Sequence, residues 1–561
     1  MTPAPRGRRP PYWTIPVFAL ALVLPAPWPS LLLAGMLAGP IALAVARAAY
    51  RRRAARAPGP PGTIEIGRER TGARVFVSAQ QLSAHGLILG ASGAGKSTTL
   101  LRLLTERIRA GGAVVAIDLK GSPAFARTLG DAAADAGRPF ALWTPDGPSH
   151  WNPLAHGNPT VLKDKLIATE RFTEPHYQRA AERYLQTALS VLRALHPHRP
   201  PTLAEVVSCC EPRTLAARLR AAPDPLRARV QDYLSRLTGD QLSAVRGLGT
   251  RLAIITESHT GAYLSPPAGA AGGASIDLRR ALRGESVVLF SLNSSSYGKL
   301  AAQLGTLVVQ DLVSATGERL SGDEHFGERP AQALVGIDEF SALGAEQVLQ
   351  LFARGREAGV SVLVATQELA DLDRAAPGLR DQVAGNTAIK VMHRQDVAGS
   401  ARVASALAGT EWGWDETRYF GPPPPRTGFG PRGSRRQVER PIVSAQEIMT
   451  LRTGEAIVIT KVPEARVKRV LASPPRPVQG ASAPAAVQPP AAVQPHAAVQ
   501  PHAAVQQHAA VQQHAPVQQH APVQPSAPAR GAHLPATRRA GGPRKAPGRI
   551  DRPAQRDGPD L

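Results

Sequence analysis

The chain has 561 residues, with 66 Lys and Arg against 43 Asp and Glu, 53 Pro, 51 Gly and two Cys. At roughly 100–200 residues per domain this length allows several folded units. The adjacent pair Cys209-Cys210 excludes both a disulfide-built secreted scaffold and a cysteine zinc site. The basic surplus sits largely at the ends: residues 1–70 hold ten Arg against two Glu, and residues 471–561 hold nine Lys or Arg against three Asp. Such a surplus suits nucleic acid, an anionic membrane face or plain solubility, and by itself decides among none of them.

No charged residue occurs between Arg9 and Arg47. Two apolar runs, Ile15–Leu24 and Leu31–Leu37, are split by Pro25-Ala26-Pro27-Trp28-Pro29, where a helix cannot continue. Each half is long enough to cross a hydrocarbon core of about 30 Å. Arg6, Arg8 and Arg9 lie before the segment and Arg47, Arg51, Arg52, Arg53 and Arg56 after it, which places both ends on the cytoplasmic side. Residues 1–56 are therefore expected to form a basic terminus and a two-helix transmembrane hairpin. The second run and its arginines act as a stop signal and argue against a cleaved signal peptide.

Residues 57–62, Ala-Pro-Gly-Pro-Pro-Gly, read as a linker, and Thr63–Gly67 and Arg74–Val77 as short strands. His85–Leu89 is an apolar strand that runs into Gly90-Ala91-Ser92-Gly93-Ala94-Gly95-Lys96-Ser97-Thr98. Leu100, Leu101, Leu103, Leu104 and Ile108 then share one face of a helix that stops at Gly111-Gly112. A G-x-x-x-x-G-K-S loop between strand and helix is a phosphate-binding pattern. Residues Gly90–Thr98 are expected to hold ATP on backbone N–H groups at the helix N-terminus. Lys96 neutralises phosphate charge there, and the Ser97 hydroxyl ligates Mg²⁺.

Ala113–Asp118, Phe140–Trp143 and Ser286–Leu292 read as further strands, and Ala333–Phe340 as one that ends on Asp338-Glu339. An aspartate at a strand tip beside a phosphate loop can hold Mg²⁺, and the next carboxylate can polarise the attacking water. Val360–Ala365 is the next strand; Arg354 and Arg356 precede it, and Thr366-Gln367 puts an amide at its tip. Residues 160–262 look helical, with Tyr177, Ala180, Ala181, Tyr184, Leu185, Ala188 and Leu192 on one face. From Leu471 onward the composition turns to Pro, Ala and Gln. Val-Gln recurs every six residues from Val487 to Val523, with His496, His502, His508, His514 and His520 in step, which reads as a disordered tail.

This ordered set resembles the hexameric DNA-pumping ATPases of the FtsK/HerA superfamily, and within it the VirD4/TraG-type coupling proteins of conjugation and type IV secretion. The resemblance spans about residues 12–470. It is carried by the two-span amino terminus, Gly90–Ser97, Asp338-Glu339-Phe340, Gly355-Arg356-Glu357-Ala358-Gly359-Val360 leading to Ala365-Thr366-Gln367, and Gly385-Asn386-Thr387. It implies an α/β, RecA-like P-loop ATPase with an inserted all-helical domain. Residues 57–159 would be the linker and first part of the ATPase domain, 160–262 the insert, 263–470 the second part and 471–561 the disordered tail. It implies catalytic roles for Lys96, Glu339, Gln367 and Arg356, with Gly90, Ala91, Ser92, Gly93, Ala94, Gly95, Lys96, Ser97 and Thr98 on ATP and with Ser97 and Asp338 on Mg²⁺. Gln367 would match the sensing glutamine, and Arg356, with Arg354 or a plain solvated basic face as the alternatives, an arginine supplied to a neighbouring subunit's ATP. The assembly implied is a homo-hexamer in the bacterial inner (cytoplasmic) membrane, with its ATPase domain cytoplasmic, delivering relaxase-bound single-stranded DNA to secretion-channel proteins. A chromosome-segregation type translocase of double-stranded DNA and a secretion adaptor for protein cargo are the alternatives. Glu411-Trp412-Gly413 and the Pro422–Pro425 run match no motif of the family.

Overall fold

The computed structural model describes residues 59–170, 172–266, 275–321, 332–343, 346–418 and 433–477, together with Ala42. They belong to one compact unit. The expected transmembrane hairpin and the repeat tail lie outside the described residues, and no described helix is long and apolar enough to cross a membrane.

Eleven strands make one sheet: β1 (Thr63–Arg68), β2 (Arg74–Ser78), β3 (Gly86–Leu89), β4 (Ala113–Asp118), β5 (Phe140–Trp143), β8 (Val287–Ser291), β9 (Ala333–Asp338), β10 (Val360–Thr366), β11 (Ile389–Met392), β14 (Glu455–Thr460) and β15 (Arg466–Ala472). Two small ribbons stand apart, β6 (His150–Trp151) with β7 (Ser275–Ile276), and β12 (Thr410–Arg418) with β13 (Gly433–Pro441). The sheet order is β2-β1-β15-β14-β11-β3-β10-β9-β4-β8-β5. All neighbours from β11 to β5 run parallel, and the four strands beyond β11 are antiparallel.

The parallel strands are interior because they are apolar on both sides. Leu87, Leu89, Val115, Ile117, Val335, Ile337, Val362 and Val364 enter one buried cluster. Their alternating neighbours Ile88, Val114, Ala116, Leu334, Leu363 and Ala365 enter another on the opposite face. The second face is covered by α1 (Lys96–Arg109) and α2 (Pro123–Asp135). Each fully buried leucine or isoleucine here stabilises the layer by about 1.5–3 kcal/mol. The expected single apolar face of α1 is wider in the structure: Arg102 and Thr105 are buried too. Arg102 stays satisfied by donating to the Glu65 carbonyl at 3.0 Å and the Pro474 carbonyl at 3.3 Å, where β1 and the segment after β15 cross the helix.

Between β6 and β7 the described chain is helical, in α3 (Pro159–Ile167), α4 (Pro175–Leu195), α5 (Leu203–Cys209), α6 (Pro212–Arg218), α7 (Asp224–Ser235) and α8 (Gly239–Thr256). α4 buries Ala181, Tyr184, Leu185, Ala188 and Leu192, but Tyr177 in its first turn is exposed. Both cysteines are free and buried. This helical core is continuous with the first face of the sheet, which is covered by α9 (Ser294–Leu320) and α10 (Glu346–Gly355).

A fully buried ion pair helps to fasten the two parts. Lys165 on α3 places Nζ 2.7 Å from Asp311 Oδ1 on α9 and also donates to the carbonyls of Pro153 and His156. Trp151 Nε1 donates to Asp311 Oδ2 at 3.2 Å. Lys165 is 1% exposed and Asp311 4%. Removing one partner of a buried pair leaves the other charge uncompensated. Asp311→Ala is therefore expected to lower unfolding free energy by about 3–5 kcal/mol. Adding Lys165→Met should recover most of that loss in urea unfolding; equal midpoints for the single and double variants would show that the pair has no such role.

Candidate active site

The carboxyl ends of β11, β3, β10, β9 and β4 lie side by side, so the residues that follow them share one edge of the sheet. Asp118 stands opposite Asp338 in register, and Thr366 opposite Leu89. Ligands of open parallel sheets bind at this edge.

The phosphate loop leaves β3 here. Gly90 has no room for a side chain, since a Cβ there would lie 2.7 Å from His393 Cβ. Gly95 sits at φ +122, a conformation that favours glycine. The loop is tied at both ends, with Ala91 N–H donating to the Arg394 carbonyl at 2.8 Å and Gly454 N–H donating to the Ala94 carbonyl at 2.9 Å. Gly95 is the N-cap of α1 and supplies no side-chain cap, which leaves first-turn N–H groups free for an anion. Lys96 is 4% exposed and donates from Nζ to the Ala91 carbonyl at 3.3 Å. Burial pulls its pKa below the ordinary value, against the opposing charges of Glu339 and Asp338.

Ser97 Oγ donates to Asp338 Oδ2 at 2.5 Å. Asp338 is 1% exposed, and its other oxygen accepts the Glu339 N–H at 3.0 Å. Glu339 itself has φ +56, a strained conformation for a residue with a Cβ. Its Oε1 lies 2.6 Å from Lys120 Nζ and accepts from Gln367 Nε2 at 3.0 Å. Burial pushes the Glu339 carboxyl up, but the hydrogen bonds from Lys120 and Gln367 and the Lys96 charge outweigh it and hold the group below the usual carboxylate value. Asp118 moves the other way. Burial raises it, only partly opposed by the Ser122 and Lys120 N–H groups that it accepts at 2.6 and 2.9 Å.

The structure thus brings Lys96, Ser97, Asp338, Glu339 and Gln367 together. It does not bring Arg356 to them. Arg356 precedes β10, so it lies at the amino edge of the sheet, where it lines a cavity with His85, Asn386 and Lys390. Four residues of β3 at about 3.3 Å each put roughly 13 Å of strand between the two edges.

Two site residues had no role in the sequence reading. Lys120 follows the Asp118 strand tip by two residues, and that proximity was its only signal. His393 is the first residue beyond β11. Its Nδ1 is 3.0 Å from the Glu455 carbonyl, which can only accept, so Nδ1 carries the proton and Nε2 accepts from Thr99 Oγ1 at 3.0 Å. Burial lowers its pKa to about 4, so it is a neutral brace between β11 and α1.

The donors fit a nucleotide with a hard divalent cation. A hydroxyl and a carboxylate oxygen stand together, beside a buried ammonium and uncapped N–H groups. A reaction that needs ionised Glu339 should persist to lower pH than an ordinary glutamate allows. Lys120→Met removes the largest opposing contact and lets burial raise the carboxyl, so the acid limb of a rate–pH profile should move to higher pH. An unmoved limb would show that Lys120 does not set the Glu339 charge.

Two family models match the chain: the TraM recognition site of TraD and TraG over residues 332–453, and the helicase HerA central domain over residues 64–133. The first spans Asp338, Glu339, Arg356 and Gln367, and the second spans the phosphate loop. No curated protein sequence matches. Among solved structures, the bacterial conjugative coupling protein TrwBdeltaN70 in an unbound monoclinic form is 16% identical, covers 76% of this chain and 90% of its own, and has a TM-score of 0.55. The plasmid coupling protein TrwB in complex with ADP and Mg²⁺ is 15% identical over 76% of this chain and 92% of its own, with a TM-score of 0.53. TrwB with the ATP analogue ADPNP gives 15%, 76%, 92% and 0.52. At such identities these structures establish a shared α/β fold. With the two family models in this order on that fold, the chain is similar to the VirD4/TraG-type coupling ATPases of the FtsK/HerA superfamily.

Proposed function

We propose that the chain hydrolyses ATP at this edge and couples the reaction to moving DNA toward a conjugation or type IV secretion channel. It would work as a ring anchored in the bacterial inner membrane by the uncharged segment between Arg9 and Arg47. Residues 57–159 and 263–470 would form the ATPase domain around the helical insert 160–262. The observation that carries the hydrolytic part is the 2.5 Å contact of Ser97 with Asp338, one residue from a second, ionised carboxylate.

The N–H groups of Gly90–Thr98 and the Lys96 ammonium would bind the phosphates. Ser97 and Asp338 would hold Mg²⁺, which when bound neutralises charge on the β- and γ-phosphate oxygens. Glu339 orients the attacking water by accepting its proton in a hydrogen bond. Lys120 and Gln367 both engage Oε1, so they fix the carboxylate's rotation and keep it ionised. Gln367 also ties that carboxylate to the tip of β10, so the state of the reacting centre is felt by a central strand. Arg356 cannot reach its own chain's nucleotide and would serve that of a neighbour.

The TraM recognition-site match and the coupling-protein fold support DNA and its processing proteins as partners. Grip on the phosphate backbone, without base readout, predicts salt-sensitive DNA binding. The test is the ATPase rate of the full-length protein with single- and double-stranded DNA across protein concentration. DNA should stimulate hydrolysis, more strongly as concentration rises and less as salt rises. Lys96→Ala and Glu339→Gln should each lower the rate by about 10²-fold or more. Hydrolysis indifferent to DNA would favour the protein-cargo adaptor, and a Lys96→Ala chain at the wild-type rate would remove the site assignment.

A further inference from the structure

The amino edge of the sheet holds a cavity of about 700 Å³ opposite the phosphate loop. Its wall is made where strands begin or return: Ala84 and His85 before β3, Arg356 and Glu357 before β10, Asn386 to Ala388 before β11, and Lys461 just after antiparallel β14. The pieces are laced together, with Ala388 N–H donating to the Ala84 carbonyl at 2.8 Å and Lys461 N–H donating to the Ala388 carbonyl at 3.0 Å.

Three cations line this cavity, Arg356, Lys390 and Lys461, against one carboxylate, Glu357. Lys390 is 3% exposed, and its ammonium donates to the Thr387 carbonyl. No ion pair joins any of the three to a carboxylate among the described residues. Burial, with Lys461 nearby, brings the Lys390 pKa down to about 8. A nearly buried ammonium beside a second cation is costly unless an anion shares the space.

The chain's own phosphate loop cannot supply that anion, because it lies at the far ends of the same strands. The two edges are complementary in charge instead. At the carboxyl edge the carboxylates Asp118, Asp338 and Glu339 outnumber the ammonium groups of Lys96 and Lys120 set among them, and a bound nucleotide adds further negative charge. A contact of one copy's amino edge with another's carboxyl edge is heterologous, the kind that repeated head to tail builds a ring when its rotation closes.

We propose that Lys390 and Lys461 join Arg356 in a receptor for the terminal phosphates of a nucleotide held by a second copy of the chain. Each hydrolytic site is then completed by three cations from its neighbour. This rests on the ring ATPase reading above. Lys390 and Lys461 act on developing phosphate charge, so their removal lowers turnover and leaves first-site nucleotide binding intact.

The test uses Lys390→Met and Lys461→Ala in the full-length chain, with Arg356→Ala as reference. Lys390→Met should lower kcat about 10²-fold and Lys461→Ala about tenfold. Affinity for a fluorescent ATP analogue, measured at dilution, should change less than about twofold in both. Each variant is then mixed with Lys96→Ala, which lacks a working loop but keeps its amino edge. Activity should reappear in the mixture, because the loop of one variant meets the intact edge of the other.

Recovery with Arg356→Ala but not with the lysine variants overturns the receptor and leaves the ring. Failure of all three mixtures overturns the ring reading with it. Lysine variants with full basal turnover that lose only DNA stimulation would assign the cavity to a DNA phosphate and also overturn the proposal. If Lys390→Met does not fold, the exposed Lys461 carries the same test alone.

Discussion

Ser97 and Asp338 are 241 residues apart in the chain and 2.5 Å apart in space, and much of the fold serves to keep them there. They do not come from adjacent strands, because β10 lies between β3 and β9. α1 must therefore cross from the end of β3 over β9. It can do so because Gly336 leaves room on that strand: a Cβ there would lie 2.9 Å from Leu104. The close approach lowers the first turn of α1 onto the tip of β9. His393 holds the other side by accepting from Thr99 on the same turn while it donates to the Glu455 carbonyl.

The same economy places the second carboxylate. Asp338 spends one oxygen on Ser97 and the other on the Glu339 N–H, which fixes the backbone turn at φ +56. Glu339 is thereby aimed across to Lys120 and Gln367. The turn that carries Lys120 is held in part by Asp118, and it packs on α9: a Cβ on Gly121 would lie 2.6 Å from Asn293 Cβ, the N-cap of that helix. Further along, α9 supplies Asp311 to Lys165. The helical segment is thus fastened to the helix whose cap abuts the reacting edge.

How much of this was legible follows from how local each signal is. The strand Ala113–Asp118, the loop Gly90–Ser97 and the Asp338-Glu339 tip announce themselves, since a run apolar on both faces and a glycine loop before a helix are short-range patterns. His393 and Lys120 carry no such pattern. His393 matters because β11 pairs with β3, which brings it to Thr99 across 294 residues. Of the antiparallel strands, β1 and β2 are legible at Thr63–Gly67 and Arg74–Val77, whereas β15 reads Arg-Val-Lys-Arg-Val-Leu-Ala with only Val470 buried, so it lacks the apolar signature of the interior strands. Among the described residues the β12–β13 ribbon pairs only with itself and leaves Trp412 and Trp414 exposed, so Glu411-Trp412-Gly413, which matches no motif of the family, lies outside the buried core.

Arg356 is the instructive case, because its place could have been reasoned from spacing alone. Arg356 and Gln367 flank β10, a seven-residue strand inside a parallel sheet. A residue before such a strand and a residue after it cannot share an edge. Once Gln367 is assigned to the reacting edge, Arg356 must lie at the other, and any role it has in phosphate chemistry must be toward a different molecule. The parallel sheet therefore imposes a division of labour: groups that follow strands can serve the chain's own nucleotide, and groups that precede them can serve only what docks from outside. His85, Arg356 and Asn386 all precede strands, while Gly90, Asp118, Asp338, Gln367 and His393 end or follow them. A single chain with this arrangement presents one polyphosphate site and, on its opposite edge, a cluster of cations that this site cannot use.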